Sequence, residues 1–193
     1  QFFIVAGHET TALAFAWALL LVAHDDEVQD RARGEAQAAI GARAAGADDL
    51  ERAPYVEQIL QETMRLYPPV GMLARNVLEP DTLYDRDSRP RDTVFLNIYA
   101  LHRHEMWWER PGEFDPENFS ASKVRSRDRF LHMPFGAGPR VCVGASFAMM
   151  QAQIILTTLL ARFRFAPAGE IPTPVMHMTI RPEPGVMLRA EPV

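Results

Sequence analysis

The 193-residue chain carries 20 lysines and arginines against 25 aspartates and glutamates, a formal net charge of −5, and 48% hydrophobic residues. That length fits one domain with a packed core, and the acidic balance gives no reason to expect nucleic-acid binding. A single cysteine, Cys142, excludes an intrachain disulfide and any cysteine-cluster zinc site and fits a reducing compartment.

Residues 2–24 read as a helix that is apolar except for Gly7-His8-Glu9-Thr10-Thr11. A helix apolar all round is buried, so these polar groups need buried partners or serve a site. The run from Ala12 to Ala23 would span roughly 18 Å, short of the ~30 Å bilayer core. Extending it across Glu9 would cost ~3 kcal/mol for the acid alone. A core helix is therefore expected and no membrane segment. Neither a signal peptide nor an initiator Met opens the sequence. The chain is expected to begin inside this helix, as the C-terminal part of a longer protein. Thr10 can turn its hydroxyl toward a carbonyl one turn back, loosening the helix locally. His8 reads as a packing or hydrogen-bonding residue rather than a metal ligand.

Asp25 to Ala45 is charged and alanine-rich, a surface helix, with a loop at Gly46-Ala47-Asp48-Asp49. Pro54 suits the first turn of a helix from Tyr55 to Leu66, whose apolar side carries Ile59, Leu60, Thr63 and Met64. Glu62 and Arg65 stand three apart, close enough to pair. Pro68-Pro69 stops that helix and forces Val70 to Arg75 into an extended segment. Thr82 to Tyr84 and Thr93 to Tyr99 read as strands around a polar turn at Asp85 to Asp92. Lys123, Arg125, Arg127 and Arg129 alternate, which in an extended stretch places them on one face. The tail reads as a hairpin of Met176 to Ile180 and Val186 to Leu188, closed by Arg181 to Gly185.

The ten residues Phe135-Gly136-Ala137-Gly138-Pro139-Arg140-Val141-Cys142-Val143-Gly144 hold three glycines, a loop free of bulk that can approach a flat ligand. Helical spacing resumes at Ala148, Ala152, Ile155, Leu159 and Phe163. A cysteine at this loop-to-helix junction sits near unsatisfied N–H groups, which favour a thiolate. The residues alone leave a buried, inert cysteine open as the alternative.

The pattern Phe-Gly-x-Gly-x-Arg-x-Cys-x-Gly resembles the haem-binding signature of the cytochromes P-450. The resemblance implies that Cys142 is the thiolate ligand of haem iron, with Arg140 on a propionate and Phe135 and Gly136 against the cofactor. Ala6-Gly7-His8-Glu9-Thr10-Thr11 is similar to the family's motif on the long helix crossing the distal face of the haem. That similarity places Ala6 and Gly7 beside the haem and makes Glu9 and Thr10 an acid–alcohol pair that delivers protons. Glu62 and Arg65 resemble the family's Glu-x-x-Arg structural ion pair. By the same resemblance Val70, Gly71, Met72 and Leu73 join Ala6 in lining a substrate pocket. Arg75 would be a second propionate ligand and His102 a further propionate contact, while His104 stays on the surface. Phe114 to Phe119 resembles the family's meander except at Asn118, where an arginine usually completes a triad with Glu62 and Arg65. A softer scaffold beneath the cysteine is expected there.

What the resemblance implies is a mainly α fold with small β-sheets, residues 1–193 being a partial P-450 domain with an N-terminal part about as long again outside it. The implied protein is a monooxygenase carrying haem b, which inserts one oxygen atom of O2 into a small hydrophobic substrate by hydroxylation or epoxidation. Electrons would come from NAD(P)H through a ferredoxin, a flavodoxin-like donor or a reductase, docked on the basic run with Arg103. A soluble, cytoplasmic, bacterial protein is expected. Two alternatives are a peroxide-using haem-thiolate enzyme, less in need of Glu9 and Thr10, and a non-catalytic haem-binding fragment. Alone, the 193 residues are expected to be inactive, and to aggregate or hold haem weakly.

Overall fold

The computed structural model describes residues 2–193. Among them lie helices α1 (Phe2–Ala23), α2 (Asp26–Ile40), α3 (Pro54–Leu66), α4 (Ile98–Leu101), α5 (Ala121–Ser126) and α6 (Ala145–Arg162). Four two-stranded antiparallel sheets accompany them. Strand β1 (Met72–Asn76) pairs with β4 (Thr93–Asn97), and β2 (Asp81–Leu83) with β3 (Arg86–Ser88). Strand β5 (Phe163–Pro167) pairs with β8 (Leu188–Pro192), and β6 (Thr173–Met176) with β7 (Ile180–Glu183).

The helix boundaries follow from local chemistry. Asp25 accepts the Val28 N–H at 3.0 Å and caps α2, whose first turn holds Asp26 and Glu27 where the helix dipole favours anions. Gly41, in the left-handed region at φ 58°, ends α2 five residues before the expected Ala45. Pro54 opens α3, and Pro68-Pro69 follows it.

Helix α2 is exposed on one side only. Its Ala32, Ala36 and Ala39 are buried and let it approach α6 closely. Buried Gln29 behaves like a strand edge: its amide donates to the Phe165 carbonyl (2.9 Å) and accepts the Phe165 N–H (2.6 Å), fastening α2 to β5.

The main core joins Ala18 and Val22 of α1, Val56, Ile59 and Leu60 of α3, and Leu156 and Leu160 of α6. A smaller cluster holds Trp17, Leu20 and Ile180. There the Trp17 ring stacks on Tyr67 with centroids 3.8 Å apart, and its indole N–H donates to the Ile180 carbonyl. Residues Ala6–Ala23 are long and apolar enough to cross a membrane by length and composition alone. In the fold α1 packs against α3, α6, β5 and β7, so it is a core helix as expected.

Three strand expectations need correction. The expected polar turn at Asp85–Asp92 contains β3, because Thr82 and Asp87 bond side chain to side chain across a tighter turn. Residues 93–97 return to pair with β1, after the chain reverses at Arg89–Asp92 with Arg91 at φ 84°. In the tail the turn falls at His177-Met178-Thr179, and the expected closure at Arg181 belongs to strand β7. Buried Ile180 fixes that register: its N–H donates to the Pro69 carbonyl at 3.0 Å while its own carbonyl receives Trp17.

Candidate cysteine-loop site

The cysteine loop is shaped by two left-handed glycines, Gly136 at φ 73° and Gly138 at φ 72°, where a side chain would be strained. The Cys142 N–H donates to the Phe135 carbonyl at 2.9 Å, closing the loop, and α6 begins three residues later. Cys142 is a free, exposed thiol. Near it in sequence Val141, Val143 and Phe147 are exposed too. A Cβ at Gly136 would stand 3.4 Å from the Leu73 side chain, so the loop lies directly against β1. Arg140 and Arg75 are both exposed, and Arg75 bonds only the neighbouring Ala74 carbonyl among the described residues.

Behind the loop is the Glu62–Arg65 pair, both side chains fully buried. Arg65 places all five of its N–H donors. Nε and Nη2 grip the Glu62 carboxylate at 2.7 Å each, and the remaining donors reach the carbonyls of His102, Pro111 and Glu113. Glu62 Oε1 further accepts the Asp115 N–H (2.9 Å) and the Asn118 amide (3.2 Å). Burial pushes the Glu62 carboxyl above its ordinary value, and the bidentate Arg65 fork opposes that shift.

Asn118 therefore keeps the third position of the triad by hydrogen bonding. The charge it lacks stands nearby: Arg127 donates to the Asn118 carbonyl at 2.5 Å and lies over the Trp108 ring, 4.1 Å from its centroid. The basic run is correspondingly not one face. Its residues 121–126 are helical, Arg127 turns inward, and only Lys123, Arg125 and Arg129 remain exposed. Arg103 is also withdrawn, held over Tyr99 at 3.9 Å and beside Tyr67.

His102 does not reach a surface where a ligand carboxylate could lie; it is wholly buried. Its Nε2 accepts the Met133 N–H at 2.9 Å, which places the proton on Nδ1 and ties α4 to the segment leading into Phe135. The ring packs 5.1 Å from His132, whose Nε2 lies 3.2 Å from the Gln61 carbonyl. Burial holds the His102 imidazole down to about 4, and desolvation with the neighbouring His102 holds His132 well below its ordinary value.

On α1, the Thr10 hydroxyl donates to the Ala6 carbonyl at 2.8 Å, one turn back as expected. Glu9 does not pair with Thr10. Adjacent helical residues point about 100° apart, and Glu9 instead meets the β6–β7 hairpin: its Oε1 accepts from the Thr179 hydroxyl (2.6 Å) and from the Arg181 Nη2 (2.7 Å) and Nε (3.0 Å) donors. The Thr179 bond, then Arg181, holds its carboxyl below the usual range. Ala6, Gly7 and His8 are exposed, and space is open where a Gly7 side chain would stand.

Of the expected pocket residues, Gly71 is buried, Val70 and Leu73 are half-buried, and Met72 is exposed. The hairpin β6–β7 presses on Gly71, where a Cβ would come 2.6 Å from Met176 Cε and 2.8 Å from Ile180 Cδ1. One continuous set of contacts thus runs from the cysteine loop through Leu73 and Gly71 to the hairpin and on to Glu9. Thr179, Arg181 and Met176 were not among the expected site residues.

Helices stacked around a cysteine loop, with small sheets at the margins, make the architecture of a haem-thiolate protein. The structure superposes on the crystal structure of a cytochrome P450 (CYP102L1) with a TM-score of 0.89 and 30% sequence identity, over 98% of this chain and 44% of that one. Residues 2–190 match the family model described as Cytochrome P450. The chain belongs to the cytochrome P450 family. It is 34% identical to cytochrome P450 4F8 of Homo sapiens and 36% identical to a cytokinin hydroxylase of Arabidopsis thaliana, each over 99% of this chain. It is 35% identical to the taurochenodeoxycholic 6 alpha-hydroxylase of Sus scrofa over 96% of its length. The chain spans only 37–38% of the length of these relatives.

Proposed function

We propose that this chain is the thiolate-bearing part of a haem monooxygenase that hydroxylates or epoxidises a small hydrophobic molecule with O2, using electrons from NAD(P)H relayed by a ferredoxin, flavodoxin-like donor or reductase. The observation that carries this reading is the exposed Cys142 on a bulk-free loop, braced from behind by a fully bonded ion pair. The residues present fit a haem: a soft sulfur donor, an apolar surround of Val141, Phe147 and Leu73, and two exposed guanidiniums, Arg140 and Arg75, suited to its carboxylates. When bound through a thiolate, haem supplies the activation of dioxygen.

The chain's own residues divide the remaining work. The Phe135 carbonyl fixes the backbone of Cys142, so the sulfur is presented rather than buried. Phe135 and Gly136 would flank the cofactor, and Ala6 and Gly7 keep the opposite helix thin. Thr10, bonded to the Ala6 carbonyl, holds a hydroxyl proton at the loosened turn, and Glu9 at the rim exchanges protons with solvent. Val70, Met72 and Leu73 would orient an apolar substrate. Hydroxylation is the favoured outcome because two of the relatives are named hydroxylases. Lys123, Arg125 and Arg129, still exposed, would steer an acidic donor. The packing of α1 against α3, α6, β5 and β7 supports its reading as a core helix rather than a membrane span.

The test is the reduced, carbon-monoxide-bound spectrum of the full-length protein. A strongly red-shifted Soret band is expected, lost in Cys142→Ala; a band retained in that variant would place the axial ligand elsewhere.

A further inference from the structure

Glu9 is tied through one oxygen only. Oε1 accepts three hydrogen bonds, from the Thr179 hydroxyl and from Arg181 Nε and Nη2, while Oε2 has no partner among the described residues. All three donors come from the β6–β7 hairpin, Thr179 at the end of its turn and Arg181 in β7, 170 and 172 residues away in sequence, and the same hairpin packs on Gly71. We propose that Thr179 and Arg181 are positioning residues for Glu9, so that the β6–β7 hairpin rather than α1 decides where the proton-carrying carboxylate stands. This rests on the haem-monooxygenase reading for its consequence, though not for the contact itself.

Three features support the assignment. The planar Arg181 fork presents two N–H groups to one carboxylate oxygen, which fixes direction as well as distance. The hairpin that carries it is itself anchored, by Ile180 to Pro69 and by Trp17 to Ile180, so the donors are held by a rigid neighbour. Finally, Oε1 is occupied while Oε2 is left to exchange protons with water, an arrangement that orients a carboxylate without silencing it. The charged groups facing Glu9 are Arg181 from β7 and His8 from its own helix. His177, at the hairpin tip, is engaged by Glu183 at 3.0 Å.

Removing Arg181 takes away a cation and two donors, so the Glu9 carboxyl must rise toward its ordinary value. In the full-length protein, the acid limb of product formed per electron pair against pH should move to higher pH in Arg181→Gln and Thr179→Val, with a several-fold loss of coupling at neutral pH. Arg181→Lys should recover part of it. Glu9→Gln should lower the rate of product formation by on the order of 10²-fold, and adding Arg181→Gln to it should change nothing further. Carbon-13 NMR titration of the Glu9 carboxyl in the full-length protein reads the same contact without turnover. An unmoved Glu9 titration in Arg181→Gln, or additive losses in the double variant, would overturn the assignment. Because docking of the hairpin rests on Trp17 and Ile180, unchanged thermal unfolding of Arg181→Gln is expected and certifies the comparison. A full-length protein without the red-shifted Soret band would sink the monooxygenase reading while leaving the NMR titration to judge the tether.

Discussion

The two sides of the cysteine loop differ in how much of their bonding they keep to themselves. On one side Glu62, Arg65 and Asn118 are partnered inside the chain, with Glu62 and Arg65 fully sealed from solvent, and His102 is held through Nε2 while its buried Nδ1 has no partner among the described residues. On the other, Cys142, Val143, Phe147, Met72 and Phe95 face outward. The Glu62–Arg65 bonding is complete within the chain; the surface that would meet a cofactor and a substrate presents its groups to whatever lies against it. Stability and function therefore reside on opposite sides of the same ten residues, and single substitutions should separate them.

The largest effect is expected beneath the loop. Arg65→Ala leaves the Glu62 carboxylate and three backbone carbonyls buried without their donor, and breaking a buried pair costs about 3–5 kcal/mol. Denaturant unfolding of the full-length protein should register at least that loss; a change below ~1 kcal/mol would show the pair to be dispensable.

Acid should attack the same side next. His102 is held neutral, its folded value lying below the ordinary one, so its contribution is present at neutral pH and fades as pH falls from about 6.5 toward about 4. At about 1.4 kcal/mol for each pH unit of displacement, His102 alone accounts for ~3 kcal/mol across that window. His132 acts in the same direction. Stability measured from pH 7 to 4.5 should decline less steeply in His102→Gln than in wild type, and parallel curves would contradict this.

Asn118→Ala removes one hydrogen bond to Glu62 and should cost about 1 kcal/mol. Asn118→Asp should cost more, since it sets a second carboxylate beside the first.

The smallest stability effect belongs to the functional side. Cys142→Ala, at an exposed position, should alter the unfolding free energy of the cofactor-free protein by no more than ~0.5 kcal/mol, while abolishing the thiolate spectrum. The same outward side predicts how the 193-residue polypeptide behaves by itself. Phe95, Phe147, Val143 and Leu78 are exposed together with Trp107 and Ile171, enough apolar surface to drive association. Concentration-dependent sedimentation checks this, and a monomer that melts cooperatively would refute it.

Much of this was legible in the sequence because the motifs are contiguous. The loop from Phe135 to Gly144, the Glu62–Arg65 spacing and the periodic helices are statements about neighbours, and local geometry realises them. What was not legible depends on partners far along the chain. Strand β4 could have paired with β2 or β1, and only the reversal near Arg91 decides. Alternation made Arg127 look like a surface residue, but a stack on Trp108 outweighs exposure once α5 turns it inward. The resemblance made Glu9 and Thr10 an acid–alcohol pair but carried no sign that the Glu9 carboxylate is bonded to Thr179 and Arg181, which lie 170 and 172 residues on. His102 was read as a propionate contact from the resemblance alone; its burial comes from partners distant in sequence, Arg65 on its carbonyl and Met133 on its ring.

Gly71 bears on how such a protein could be retuned. Its backbone tolerates any residue, yet a single methyl there would meet Met176 and Ile180, and Met176 ends in a flexible tip while Ile180 is pinned to Pro69 and Trp17. A substituent at this one position would act as a wedge under the hairpin. Small wedges would be absorbed by Met176, and larger ones would tilt β7 and drag Arg181 with it. Bulk added at Gly71 would thus also move the donors that hold Glu9, and a variant that carries it would need a compensating change on the hairpin to keep that contact.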